Sequence, residues 1–295
     1  MKNTIFTGSG VALVTPFTSD NKPNHDKIKE LVDFQINNKT DAIISCGTTG
    51  EASTMTDAEH LSVVETTIKQ ANKRVPVIAG TGSNDTMHAI ELSKESQKLG
   101  ADGLLIVNPY YNKTSTSGLI KHYIAIADSV DIPIVVYNVP SRTGANIPPK
   151  IIAELSKHKN IVAVKEASGD ISQIAELANL CGDNIDIYSG NDDQISPVMA
   201  LGGAGVISTI GNIMPKETHD IVQKFLNGDV AGSIKLQLNL IPLIGALFCE
   251  VNPIPVKTAL NLMGYDVGEL RMPLCEMSAA AKERLIAEMT AIELI

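Results

Sequence analysis

The feature that most constrains this chain is an eightfold alternation between short apolar segments and longer segments with helical spacing. The apolar segments are nearly continuous in hydrophobicity, which is typical of strands that are buried on both faces of a parallel sheet. The predicted strands are 10–17, 42–47, 75–81, 103–109, 132–138, 161–168, 185–191 and 204–210. The predicted helices are 25–38, 56–72, 84–99, 117–129, 148–157, 171–180, 192–201 and 215–226. One of them begins at Thr56 with the spacing of a capping box.

Eight strand–helix units predict an α/β fold, a (β/α)8 TIM barrel, whose usual size is ~250 residues. A doubly wound sheet is the alternative, because counting strands does not show whether the sheet closes. The glycine fingerprint of dinucleotide-binding sheets is missing after the first strand, which disfavours that alternative. Beyond residue 228 the strands stop and three helices are predicted, at 230–248, 253–263 and 278–293. We therefore predict a catalytic barrel over residues 1–228 and a C-terminal helical region over 229–295.

Composition excludes several classes of protein. With 44% hydrophobic residues, the chain can bury a large core and is not intrinsically disordered. Its net charge of −9 disfavours nucleic acid as a partner. The amino terminus lacks the apolar core of a secretion signal, and the apolar segment 238–248 is shorter than the ~20 residues of a membrane span. Four scattered cysteines indicate free thiols, with Cys46 as a small core residue. These features predict a cytoplasmic globular protein without a membrane partner.

The most informative single residue is Lys165, because it follows four apolar residues in the sixth predicted strand. Catalytic groups of such barrels gather at the C-terminal ends of the strands. Burial there disfavours the charged ammonium and lowers its pKa, and a neutral amine forms a Schiff base with a carbonyl group. The alternative is a structural lysine that forms an ion pair with a carboxylate such as Glu166.

Other strand ends carry polar groups whose roles stay open at this point. Tyr137 could exchange protons with a bound carbonyl oxygen, or it could be a core tyrosine. Thr48 and Thr49 could bind a carboxylate, or they could only shape a turn. Arg142 offers a guanidinium for a substrate carboxylate, or a surface ion pair. No two histidines have the spacing of metal ligands, so no metal is predicted; the histidines are at 25, 60, 88, 122, 158 and 219.

Three segments in this order carry a specific resemblance: GTTGE (47–51), YNVPSRTG (137–144) and VAVKEASG (162–169). They resemble the class I pyruvate-dependent lyase family, which includes dihydrodipicolinate synthases and N-acetylneuraminate lyases. The resemblance covers essentially the whole chain, including the helical tail. It implies a Schiff base between Lys165 and pyruvate, with no metal and no organic cofactor.

The resemblance also implies roles for individual residues. Tyr137 would donate and accept protons, relaying them through Thr48 and Tyr111. Pyruvate would contact Thr49 and Ile207, with Gly190 shaping the floor of the pocket. Arg142 would receive the carboxylate of the second substrate.

Arg142 also favours one branch of the family, because an arginine is not expected there in the sialic-acid-cleaving branch. The favoured branch condenses pyruvate with L-aspartate-4-semialdehyde to give 4-hydroxy-tetrahydrodipicolinate, on the route to diaminopimelate and lysine. One alternative keeps the imine chemistry but cleaves sialic acid or a 2-keto-3-deoxy sugar acid. Another is a non-catalytic sensor of keto acids, which the joint presence of Lys165, Tyr137, Thr48 and Tyr111 disfavours. Family members are homo-oligomers in which the residue at the Tyr111 position reaches the site of the neighbouring subunit. A homodimer or homotetramer is therefore expected, with the dimer as the minimum functional unit.

The resemblance finally bears on feedback regulation. Lysine-sensitive relatives bind lysine at a subunit interface beside the Tyr110 position. This chain has His88 where those relatives carry a glutamate, and Asp57 where they carry a histidine. Without the glutamate that would pair with the ammonium group of lysine, we predict weak or absent inhibition by lysine.

Overall fold

The computed structural model describes residues 4–295 and contains a closed barrel of eight parallel strands in chain order. The strands are β1 (Gly8–Ala12), β2 (Ala42–Ser45), β3 (Val77–Gly80), β4 (Gly103–Val107), β5 (Ile134–Asn138), β6 (Ile161–Glu166), β7 (Asp186–Ser189) and β8 (Gly205–Ser208). Pairing of β1 with β8 closes the sheet, so the predicted (β/α)8 barrel is confirmed and the doubly wound alternative is wrong. Residues 1–3, part of the predicted barrel region and of the amino terminus, lie outside the described residues.

The helices are α1 (His25–Asn37), α2 (Asp57–Ala71), α3 (Thr86–Leu99), α4 (Thr116–Asp128), α5 (Pro140–Thr143), α6 (Pro149–Leu155), α7 (Ile171–Cys181), α8 (Ile195–Ala200), α9 (Pro215–Leu226), α10 (Val230–Leu247), α11 (Ile254–Leu262) and α12 (Ala279–Ala291). The predicted capping box is present: Thr56 and Glu59 satisfy each other's backbone N–H at the start of α2. The one-turn helix α5 was not predicted. It begins at Pro140 and ends before Gly144, whose φ of 68° suits glycine.

The first strand lies earlier than predicted, at Gly8–Ala12 rather than 10–17. Its register with β8 begins at Gly8 opposite Gly205, where a Cβ on Gly205 would lie 1.8 Å from the Gly8 carbonyl oxygen. This close approach requires glycine. Past Ala12 the chain soon leaves the sheet, and the backbone N–H of Val14 donates to the side chain of Asn212 instead (3.0 Å).

Strand side chains alternate between two cores, because successive residues of a strand point to opposite faces of the sheet. One core lies between the sheet and the helices and includes Val164. The other fills the barrel interior: Ala12, Ile44, Ile78, Leu105, Val135, Tyr137, Ala163, Tyr188 and Ile207. Lys165 lies two residues after Ala163 on β6, so the same alternation directs its side chain into the barrel. In register, Lys165 is flanked by Tyr137 of β5 and Tyr188 of β7.

The C-terminal helices α10, α11 and α12 pack together beyond the last strand, with α10 also against α9. Among residues 4–295, α10 is the one helix long and apolar enough to cross a membrane, and its 18 residues, Val230–Leu247, include most of the apolar segment 238–248. Its buried face carries two polar side chains that bond within the fold. Gln237 donates to the backbone carbonyl of Asp192 (2.7 Å), and Ser233 donates to that of Ile221 (2.7 Å). One face of the helix therefore packs against the rest of the fold, while the opposite face is exposed. The division of the chain at residue 228 stays a prediction.

Candidate active site

Lys165 lies near the C-terminal end of β6, where only 6% of the residue is exposed. Burial lowers the pKa of its ammonium group from 10.5 to about 8. The nearby carboxylate of Asp192 acts in the opposite direction, and the charge of Arg142 lowers the pKa further. A lysine in this environment is partly neutral near neutral pH, which is the condition for nucleophilic attack on a carbonyl.

The ion pair between Lys165 and Glu166, the structural alternative, does not form among the described residues. Glu166 instead accepts hydrogen bonds from the side-chain amide of Asn138 (3.0 Å) and the backbone N–H of Ser168 (2.7 Å). Glu166 is buried, and neutral groups donate these hydrogen bonds to its carboxylate. The bond from Asn138 joins the end of β5 to the end of β6. Lys165 is left without a carboxylate partner in contact with it.

Tyr137 and Thr48 are brought together with Lys165. The Lys165 Nζ atom lies 4.5 Å from the centre of the Tyr137 ring. Burial raises the pKa of the Tyr137 phenol above 10, while the Arg142 charge and a hydrogen bond with Thr48 oppose this increase. Tyr137 is therefore a phenol at neutral pH, beside the amine and in contact with a hydroxyl that can pass a proton on.

Thr49 and Arg142 approach the site through one shared neighbour, Asn252. The side-chain amide of Asn252 donates to Thr49 Oγ1 (2.9 Å), and Arg142 Nη2 donates to the backbone carbonyl of Asn252 (3.0 Å). Thr49 is buried, whereas Arg142 is exposed. Arg142 has no ion pair with any residue of 4–295, so the predicted alternative of a surface ion pair is not observed. Its charge is available to an anionic substrate.

Gly190 and Ile207 border the same interior. A Cβ on Gly190 would lie 2.7 Å from the Ala167 Cβ and 3.2 Å from the Lys165 Cε, so a larger residue would crowd the lysine. Ile207 is buried in the interior core that also contains Tyr137. Both positions are compatible with the predicted floor and wall of a small pocket.

Tyr111 is the one predicted catalytic residue that this chain does not bring into the site. The residue is 92% exposed and has a φ of 66°, which is uncommon for a residue with a side chain. It forms no hydrogen bond with any residue between 4 and 295. A relay from Tyr137 through Tyr111 of the same chain is therefore not present, and a role for Tyr111 requires a second copy.

A cavity of about 390 Å³ is lined by Thr48, Tyr137 and Arg142 and also by Asp57 and His88, among others. In its wall, His88 Nε2 lies 2.9 Å from Asp57 Oδ1. Across residues 4–295, no group of three or more His, Cys, Asp or Glu side chains is arranged to hold a metal ion.

Two polar residues near the site were missed from the sequence. Asp192 is buried, accepts the backbone N–H groups of Thr209 (3.0 Å) and Ile210 (2.7 Å), and acts electrostatically on Lys165. It lies three residues after the end of β7 and is visible in the sequence as a polar residue at a strand end, but no pattern there predicts its effect on Lys165. Asn252 lies between α10 and α11, and no pattern near it in the sequence indicates a contact with the barrel loops.

Comparison with known proteins identifies what the chain is similar to. The model of the dihydrodipicolinate synthetase family matches residues 5–292. A 4-hydroxy-tetrahydrodipicolinate synthase of Lachnoclostridium phytofermentans is 59% identical over 292 residues, which are 99% of either chain. A crystal structure of a dihydrodipicolinate synthase is 46% identical, with a TM-score of 0.96 over 98% of this chain and 100% of that one. The chloride-inhibited enzyme of Acinetobacter baumannii, complexed with pyruvate, is 40% identical, with a TM-score of 0.97 over 99% and 100%.

Proposed function

Because this chain belongs to the dihydrodipicolinate synthetase family, we propose that its barrel joins pyruvate to L-aspartate-4-semialdehyde through a Schiff base on Lys165. The product is 4-hydroxy-tetrahydrodipicolinate, in the biosynthesis of diaminopimelate and lysine. The observation that carries the assignment of Lys165 is its burial, with a pKa of about 8, against the ring of Tyr137. No metal or organic cofactor takes part in the proposed reaction.

The first stage forms the imine. The neutral Lys165 amine attacks the keto carbon of pyruvate, and the former carbonyl oxygen leaves as water after it is protonated. Tyr137 is the donor for that proton because its phenol is protonated and lies beside the amine. The Tyr137 phenolate that remains accepts a hydrogen bond from the Thr48 hydroxyl and is ready to take up a proton in the next stage.

The second stage forms the carbon–carbon bond. The protonated imine withdraws electrons, so the pyruvate methyl group gives a proton to the Tyr137 phenolate and an enamine forms. The enamine carbon attacks the aldehyde of the second substrate, and the aldehyde oxygen takes this proton from Tyr137 to become the hydroxyl of the product. The amino group of that substrate then attacks the imine carbon, which closes the ring and frees the Lys165 amine. One water molecule is released overall, so atoms and electrons balance.

The remaining residues bind and orient the substrates. The Thr49 hydroxyl donates a hydrogen bond to the carboxylate of pyruvate, while Ile207 and Gly190 leave a pocket that fits a three-carbon acid. Arg142 binds the carboxylate of the semialdehyde from the exposed side of the site. Its position at the solvent face suits the substrate that arrives second.

The working form is proposed to be a cytoplasmic homodimer or homotetramer. The exposed position of Tyr111 supports this, because a neighbouring copy could receive its hydroxyl. One face of α10 also exposes apolar side chains at helical spacing: Val230, Ile234, Leu238 and Ile241. A second copy of the chain would bury such a face. Sedimentation velocity distinguishes the monomer, dimer and tetramer.

The choice of second substrate is tested by a direct comparison. The protein is assayed for condensation of pyruvate with L-aspartate-4-semialdehyde and, separately, for release of pyruvate from sialic acid or a 2-keto-3-deoxy sugar acid. We expect turnover only in the first assay. Turnover only in the second would keep the imine chemistry and overturn the proposed substrate.

A further inference from the structure

Asn252 lies outside the barrel and contacts two of the proposed substrate-binding residues, Thr49 and Arg142. It lies between α10 and α11, only 6% exposed, in the C-terminal helical region. Its side chain reaches Thr49, and its backbone carbonyl reaches Arg142. We infer that Asn252 is a positioning residue of the reaction: its amide sets the direction of the Thr49 hydroxyl for pyruvate, and its backbone carbonyl holds Arg142. This inference rests on the proposed roles of Thr49 and Arg142.

The hydrogen bond between Asn252 and Thr49 has a defined direction. An amide nitrogen of asparagine donates and does not accept, so Thr49 Oγ1 is the acceptor of the 2.9 Å bond. The hydroxyl proton of Thr49 must therefore point elsewhere. Within residues 4–295 this proton has no acceptor. The Thr49 hydroxyl is therefore free to donate to a carboxylate, which only accepts hydrogen bonds.

The other atom of the same amide supports a functional role. Asn252 Oδ1 is buried and accepts no hydrogen bond from the described residues. An unsatisfied buried acceptor destabilises a protein, and such atoms are rare in native structures. The buried Asn252 amide thus keeps a free acceptor atom, which lowers the stability of the fold, beside Thr49, the residue proposed to bind pyruvate.

The two contacts of Asn252 use different parts of the residue, and they can be separated by mutation. Asn252→Ala removes the bond to Thr49 but keeps the backbone carbonyl that accepts from Arg142. We expect the KM for pyruvate to rise about tenfold, because a Thr49 hydroxyl that is no longer oriented forms a weaker hydrogen bond with the charged carboxylate of pyruvate. The KM for the semialdehyde should change less than about twofold.

Asn252→Asp is a second variant of the same size, so it serves even if the alanine variant is unstable. Its carboxylate accepts hydrogen bonds, so it would capture the Thr49 proton, and its charge would repel pyruvate. We expect a larger rise in the KM for pyruvate than with alanine. A purely structural role predicts instead a lower melting temperature for the aspartate variant, because its charge is buried without a partner, and no selective rise in the KM for pyruvate.

A double-mutant cycle tests whether Asn252 acts through Thr49. In a Thr49→Val background, Asn252→Ala should cause no further rise in the KM for pyruvate. The matched control is Asn261→Ala, which removes an asparagine of the same region that bonds only to the backbone of 267–268. It should leave both KM values unchanged.

The outcomes separate this inference from the proposed function. If wild-type protein forms no pyruvate adduct that borohydride can trap, the proposed function fails and the inference fails with it. If wild-type protein forms the adduct but both Asn252 variants keep the wild-type KM for pyruvate, the inference alone is overturned. Equal increases in the KM of both substrates would also overturn it. A selective rise for pyruvate, larger for aspartate, supports it.

Discussion

At the scale of single residues, the site depends on two side chains held away from their usual ionisation. Burial lowers the pKa of Lys165 to about 8 and raises that of Tyr137, so the amine can act as a nucleophile while the phenol remains an acid. Burial also raises the pKa of the Cys46 thiol to about 12, and this residue is inert core, as expected. Burial favours the neutral form of both groups. It therefore makes the Lys165 amine nucleophilic and keeps the Cys46 thiol unreactive.

The pH dependence of the reaction follows from Lys165. Its reactive form is the neutral one, which makes up ~10% of the lysine one pH unit below its pKa and ~90% one unit above it. We therefore expect kcat/KM for pyruvate to rise with pH through an apparent pKa near 8 and to level off above it. Steady-state kinetics between pH 6 and pH 9.5 measure this directly.

An internal control comes from Arg142, whose charge contributes to lowering the pKa of Lys165. Arg142→Ala should shift the rising limb to higher pH, whereas Arg142→Lys, which keeps the charge, should not. A profile that is flat over this range would contradict the assignment of Lys165 as the titrating nucleophile.

Arg142 also has a predicted effect on substrate use. Arg142→Ala should lower kcat/KM for the semialdehyde by tenfold to about a hundredfold, because a charge-assisted bond of ~1.5–3 kcal/mol is lost. Formation of the imine with pyruvate should change far less at a pH above 9. Rapid-mixing and steady-state measurements separate the two steps. An equal loss in both would indicate that Arg142 has only a structural role.

At the scale of secondary-structure elements, the loop after β2 is held by the C-terminal helical region. Glu51, at the end of the GTTGE segment, is buried and accepts a hydrogen bond from Lys257 Nζ of α11 (2.8 Å). The backbone N–H of Arg271 donates to the other carboxylate oxygen (3.0 Å). Glu51 has a φ of 53°, an uncommon conformation for a residue with a side chain. The loop that carries Thr48 and Thr49 is therefore held by contacts from α11 and from the segment between α11 and α12.

Breaking this buried ion pair should be costly. Lys257→Met leaves the Glu51 carboxylate buried without its cation. We expect the free energy of unfolding to fall by about 3–5 kcal/mol as a result. We expect the melting temperature to fall by roughly 10 °C. The control is Lys98→Met, which breaks an exposed pair with Glu95 and should cost less than ~1 kcal/mol. Equal melting temperatures for the two variants in differential scanning calorimetry would contradict this account.

The sequence was sufficient for the barrel and for most of its elements, whereas the roles of the site residues stay predictions. The repeated apolar segments predicted eight strands, and the four apolar residues before Lys165 predicted its burial. Strand β1 was misplaced because its start depends on pairing with β8, which no local pattern encodes. Asn252 was missed for a similar reason: its hydrogen bond to Thr49 joins residues 203 positions apart. Contacts between the helical region and the barrel loops arise only from tertiary packing.

At the scale of the whole molecule, one cavity extends from Thr48 and Tyr137 to the predicted regulatory surface around His88. Its lining includes Tyr137 and Arg142, and also Asp57, His88 and Tyr110. Asp57 and His88 bond to each other, so the carboxylate that could attract an ammonium group already has a partner. At the surface where lysine-sensitive relatives bind lysine, this chain therefore has a different arrangement of polar groups, the bonded pair of Asp57 and His88.

This arrangement predicts weak or absent inhibition by lysine. Loss of one charge-assisted bond lowers the affinity by tenfold to about a hundredfold. Initial rates at saturating pyruvate, measured over a lysine titration, test this prediction. The double variant His88→Glu, Asp57→His should gain sensitivity, with Lys98→Met as an unaffected control. Strong inhibition of the wild-type protein at sub-millimolar lysine would show that another carboxylate binds the ammonium group.

The most direct test of the central claim is chemical trapping of the imine. The protein is incubated with pyruvate, reduced with borohydride, digested and analysed by mass spectrometry. We expect the peptide that contains Lys165 to gain a pyruvate-derived mass, while the peptide that contains the other buried lysine, Lys257, stays unmodified. Lys165→Met should abolish the adduct. An unmodified Lys165 peptide, with pyruvate-dependent labelling at another residue, would contradict the assignment of Lys165 as the nucleophile.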